Sequence, residues 1–117
     1  MIHLVRSLGW LVVFAIVLVS LMPADIRAAM STGMLGVIEH AAIYLLAAGL
    51  MALGYARNDG ALLIVVIGLV CLAGLLETGQ DLVPGRNVAL SDFAAGAGGA
   101  VLGSVSGRIA RALLISK

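Results

Sequence analysis

The residues able to do chemistry are concentrated in two places. Residues 76–92, LETGQDLVPGRNVALSD, hold Glu77, Gln80, Asp81, Arg86, Ser91 and Asp92, so half of the six acidic residues in the chain fall here. The second place is GVIEHAAIY, which carries Glu39, His40 and Tyr44. Two carboxylates and an imidazole can hold and transfer protons where their surroundings separate their pKa values. An arginine beside them can contact an anion. Each residue also has a purely structural explanation. Ser91 and Asp92 suit the cap and positive end of a helix, as Glu39 does in a first turn. Pro84-Gly85 makes an ordinary turn. Glu77 is harder to explain by folding, because it follows an apolar run at what reads as a helix C-terminus, where an anion is disfavoured. It either forms a structural pair with Arg86 or has a role of its own.

The elements that position these residues follow from composition. The chain has 117 residues, 62% hydrophobic and 11% charged, whereas a soluble domain carries about 25% charge. So short a chain cannot enclose that much apolar surface in a core of its own. A net charge of +1 without any run of Lys or Arg gives no argument for nucleic acid as a partner. Cys71 is the only cysteine and reads as a packing residue in an apolar run.

Four apolar segments predict transmembrane helices over about residues 4–22, 34–55, 61–76 and 93–115, forming one domain over 1–117. A helix needs roughly 20 residues to cross a bilayer, so the third is slightly short. ARNDG, between the second and third, is a polar turn. The expected fold is an all-α membrane protein of two antiparallel helical hairpins. The first segment also resembles a signal peptide, but its apolar stretch is long for one and Arg27 sits where cleavage wants a small residue. It is expected to remain.

With four spans, Arg6, Arg57, Arg108, Arg111 and Lys117 share one side, and only Arg27 and Arg86 lie on the other. The positive-inside bias then places both termini in the cytoplasm. The outer side holds Asp25, Glu39, Glu77, Asp81 and Asp92, five carboxylates against two cations. That topology brings Glu39 and His40 towards Glu77, Gln80, Arg86 and Asp92. His40 and Tyr44, four apart, share a helix face. His40, Glu39, Glu77 and Asp92 are suitable metal ligands, but no local spacing signature supports a site, so no metal or other cofactor is expected. In the fourth segment Gly99, Gly103 and Gly107 recur every four residues, the spacing that lets helices approach closely in lipid. This stripe serves either internal packing or a partner in a larger membrane assembly.

The pattern formed by His40, Tyr44, Glu77, Gln80, Pro84-Gly85-Arg86, Ser91, Asp92, Gly99 and Gly103 resembles that of the VanZ-like family of small bacterial membrane proteins. It covers residues 40–103. Two positions depart from it. Gly36-Val37 stand where the family often has Asp-Lys, and Gly96 where it often has Asn. The resemblance implies a multi-pass protein of the bacterial inner membrane with a cell-envelope role, by analogy with the reduced teicoplanin sensitivity that gave the family its name. The expected function is binding, or acting on, a lipid head group or lipid-linked envelope precursor at the outward polar rim. In that reading Glu77, Asp92 and His40 do the chemistry. Arg86, Gln80, Glu39, Ser91 and Tyr44 bind. The competing expectation is a non-enzymatic accessory subunit docking through the glycine-rich helix. A channel is disfavoured, since one-sided polar residues give no continuous path.

Overall fold

The computed structural model describes residues 1–21, 36–79 and 90–114, and these form four helices. They are α1 (Ile2–Ser20), α2 (Gly36–Tyr55), α3 (Asp59–Gly79) and α4 (Leu90–Leu114). Among the described residues there is no strand. Helix is the only open-ended structure that satisfies every backbone N–H and C=O within one segment, which a lipid environment demands. The polar link between α2 and α3 is shorter than ARNDG suggests, because Asp59 and Gly60 already belong to α3. Asn58 starts that helix, its Oδ1 accepting a hydrogen bond from the Ala61 N–H at 2.8 Å, as a capping side chain does. At its other end α3 runs on through Glu77 and Thr78. The Thr78 hydroxyl donates back to the Gly74 carbonyl at 2.9 Å. The third helix is therefore 21 residues long, and the shortfall expected over 61–76 does not arise.

Three of the four helices, α1, residues 37–55 of α2, and α3, are long and apolar enough to cross a membrane. α4 is the longest at 25 residues, with Asp92, Arg108, Arg111 and many glycines diluting its apolar character. Large side chains such as Leu11, Phe14, Ile38, Leu63, Ile64, Leu75 and Leu102 point outwards. The interior is built from small ones: Ala47, Ala48, Ala52, Ala73, Ala100 and Ser104 are all almost fully enclosed. Water would not tolerate so large an apolar exterior. A hydrocarbon exterior removes the penalty, and packing then falls to small residues at close range. Cys71 is exposed, not packed in the interior as its apolar neighbours suggested, because it lies on the outward face of α3.

The most extensive interface joins α2 to α4. A Cβ on Gly99 would collide with the Ala41 carbonyl, one on Gly103 with the Leu45 carbonyl, and one on Gly107 with the Gly49 carbonyl. Both sets ascend together, so α2 and α4 run in the same direction. The glycine stripe is thus occupied within the chain. Carbonyl oxygens aimed at glycine Cα atoms also have the arrangement of weak Cα–H···O contacts. α1 runs against α2, as the Arg6–Gly54 and Trp10–Tyr55 hydrogen bonds show. α3 runs against α4, since Phe93 meets Gly74 near one end and Arg108 meets Asp59 near the other. α1 and α3 barely touch. Between them lies an apolar cleft of about 620 Å3, lined by Trp10, Val13, Met51, Ile64 and Leu72 among others.

The C-terminus of α2 is closed by arginines. The Arg6 Nε–H donates to the Gly54 carbonyl at 2.9 Å, and Arg111 donates to the carbonyls of Leu53 at 2.7 Å and Gly54 at 3.2 Å. These are oxygens that a helix end leaves without partners, and cations suit them. Arg6 also lies 4.7 Å over the Tyr55 ring. The Trp10 indole N–H donates to the Tyr55 hydroxyl at 3.0 Å. Arg108 and Asp59 approach to 3.2 Å, but Asp59 is almost fully exposed, so this pair adds little.

Two outcomes follow from these contacts. Gly103→Leu should lower stability by about 2 kcal/mol or more, since overpacking here pushes backbones apart. Gly98→Leu should be nearly neutral, because nothing lies within 4 Å of a Cβ there. Thermal unfolding in detergent, followed by Trp10 fluorescence, compares the two. Arg111→Met should cost about 1–2 kcal/mol by leaving the Leu53 carbonyl without a charged donor and the Gly54 carbonyl with Arg6 alone, with Arg111→Lys intermediate in the same assay.

Candidate functional site

The helix directions decide which polar residues can meet. α2 and α4 start at the end of the bundle where α3 finishes. His40 lies in the first part of α2, Asp92 in the first turn of α4, and Glu77 in the last turn of α3. One potential ligand atom from each of these three residues lies within 4.8 Å of the other two. The group comes from three helices and from far-separated parts of the sequence.

Glu77 is the most enclosed member, at 5% exposure, while His40 and Asp92 are half-buried. The electrostatics of the three positions differ. Asp92 sits at a helix start, where the aligned peptide dipoles favour an anion, and Glu77 sits at a helix end, where they oppose one. Two carboxylates and an imidazole held this close gather several hydrogen-bonding atoms in one place. The cluster can therefore accept hydrogen bonds from hydroxyl or ammonium donors, relay a proton through the imidazole, or hold a cation.

Tyr44 lies one turn beneath His40 and is 2% exposed. Its ring packs with Ile16, Ala47, Ala73 and Leu76. A Cβ on Gly96 would come within 3.1 Å of that ring. Gly96 therefore provides the space for Tyr44, and an Asn at this position would displace it. The absence of a side chain at residue 96 thus has a packing reason in this chain. Tyr44 acts as a floor under the cluster.

The remaining candidates separate. Glu39, in the first turn of α2, is not a member of the close group, since adjacent helical residues point about 100° apart. Ser91 is exposed, and α4 already begins at Leu90, so Ser91 lies inside the first turn and not at the capping position expected for it. Gln80, Asp81, Arg86 and the Pro84-Gly85 turn lie outside the described residues, and with them the expected Glu77–Arg86 pair. Gly99, Gly103 and Gly107 are all buried against α2. Sequence reasoning did not anticipate Gly96 as the seat of Tyr44 or the arginine closure at the opposite end. The first could have been suspected from the spacing of Gly96, Ala100 and Ser104, and the second from basic residues at the ends of α1 and α4.

Compared with protein-family models, with curated proteins and with solved structures, this chain finds no match.

Proposed function

We propose that this chain is a VanZ-like protein of the bacterial inner membrane, with all four helices spanning the bilayer as two antiparallel hairpins and both termini in the cytoplasm. Its role is to bind, or act on, the polar head group of an envelope lipid or lipid-linked precursor. The observation that carries this reading is the convergence of His40, Glu77 and Asp92 at one end of the bundle. Ionisable side chains at membrane depth are costly and are retained chiefly where they act.

Several features support the orientation. Arg6, Arg57, Arg108 and Arg111 all belong to the end away from the cluster, as the positive-inside bias requires for a cytoplasmic face. Trp10 and Tyr55 accompany them, where amphipathic rings favour an interface. At 25 residues, α4 is about 37 Å long, enough to span with its charged ends at the two surfaces. In this reading Glu77 and Asp92 serve as hydrogen-bonding or acid/base groups, and His40 carries or orients a proton. Arg86 contacts an anionic part of the ligand, with Gln80, Glu39 and Ser91 at the rim.

The accessory-subunit reading rested on the glycine stripe of α4. Since Gly99, Gly103 and Gly107 face α2, the stripe no longer argues for a docked partner.

Glu77→Gln is the decisive change, because it keeps the size of the side chain and one acceptor oxygen and removes the charge. The variant, still inserted and as stable as the parent, should fail to restore the envelope-antibiotic resistance of a strain lacking the gene. It should also lose lipids that the parent retains in native mass spectrometry after gentle detergent extraction. Full complementation by a stably inserted Glu77→Gln protein would sink this reading.

A further inference from the structure

We infer that His40, Glu77 and Asp92 form a binding site for one divalent transition-metal ion, with zinc the best-suited probe. The inference rests on the reading of this end of the bundle as the functional site, and it adds what the site holds. One ligand atom from each residue already lies within 4.8 Å of the others. Zinc binds nitrogen and oxygen ligands at about 2.0–2.2 Å, so tetrahedral ligand atoms stand about 3.3–3.5 Å apart. Side-chain rotations of about an ångström close that difference without moving the helices.

The chemistry of the donors selects the class of ion. An imidazole favours zinc and the other later first-row metals over magnesium or calcium, while carboxylates are compatible with all of them. Charge leads to the same place. Two ionised carboxylates and a neutral imidazole around a doubly charged ion make a neutral group, the form in which charge is least costly near hydrocarbon. Glu77, at 5% exposure and at a helix end that opposes its charge, benefits most. Three protein ligands are one fewer than a closed structural zinc site uses, so a coordination position remains for an oxygen from outside.

The metal also resolves a difficulty in the sequence. In the topology proposed above, the sequence assigns five carboxylates against two cations to the outer side, which would be a poor surface for attracting a phosphate-bearing head group. A bound ion is the largest local charge in a site and inverts that field. The absence of a short metal motif has a simple cause, since each ligand comes from a different helix.

The test uses the full chain, purified without an affinity tag and stripped with a chelator, because a polyhistidine tag would bind zinc itself. Isothermal titration with zinc should show one equivalent bound with micromolar or tighter affinity, weakening as the pH falls because protons compete for the ligands. His40→Gln and Asp92→Asn should each weaken binding at least tenfold while helicity and zinc-free unfolding temperature stay unchanged. His3→Gln, which alters the only other histidine, should leave affinity as it was. X-ray absorption at the zinc edge should show one imidazole with oxygen neighbours. This second readout needs only the parent protein, so it stands even if a variant fails to fold. Absence of saturable binding in the parent would overturn the inference, as would affinity retained within twofold in both variants. A shell with sulfur or two imidazoles would do the same. Loss of zinc binding with head-group retention intact removes the metal alone. Zinc bound by a protein whose Glu77→Gln variant fully complements removes the head-group reading alone.

Discussion

Everything in this fold depends on how closely the backbones of α2 and α4 approach. Apolar helices in hydrocarbon gain nothing by hiding leucine from lipid, so they need another reason to stay together. Here that reason is a seam in which Gly99, Gly103 and Gly107 bring α4 directly onto the carbonyls of Ala41, Leu45 and Gly49. The interior around the seam is largely alanine and serine, and most of the leucines and isoleucines are turned outwards, Ile16, Leu69 and Leu76 being buried. A soluble protein of this size would show the reverse arrangement. The seam also fixes the relative height of the two helices, which places His40 beside Asp92.

The bundle has two chemically opposite ends. At one, Arg6 and Arg111 satisfy the last carbonyls of α2 while Arg108 reaches Asp59. At the other, His40, Glu77 and Asp92 come together over Tyr44. The cationic end has a structural explanation, because Arg6, Arg108 and Arg111 each find a helix terminus or an acid. The acidic end does not reduce to capping. Asp92 suits the start of its helix, but Glu77 is enclosed at the end of another, where the dipole works against it.

Much of this was legible in the residues. The apolar runs give four helices whose ends differ from expectation by a few positions, and the largest difference, in α3, comes from the Asn58 cap and from the helix continuing through Glu77. The gathering of His40, Glu77 and Asp92 followed from topology alone, since two reversals of direction bring those segments to one end. The depth of Glu77 and the closeness of the group were not legible, because both depend on the separation between helices. That separation depends on which partner the glycines face, and a one-dimensional stripe is equally compatible with an internal or an external neighbour. Gly96 shows the same limit. Its purpose becomes visible only with the Tyr44 ring lying against it.

The uneven packing of the helices also gives the bundle a mechanical character. A seam made of glycines has no side chains to repack, so α2 and α4 behave as a single stiff body carrying His40 and Asp92. α3 touches that body less extensively, and on its other side the apolar cleft separates it from α1. The arm that carries Glu77 is consequently the compliant part. Opening or tightening the cluster means swinging one carboxylate against two groups held together by the seam, into the space that the apolar cleft leaves beside α3.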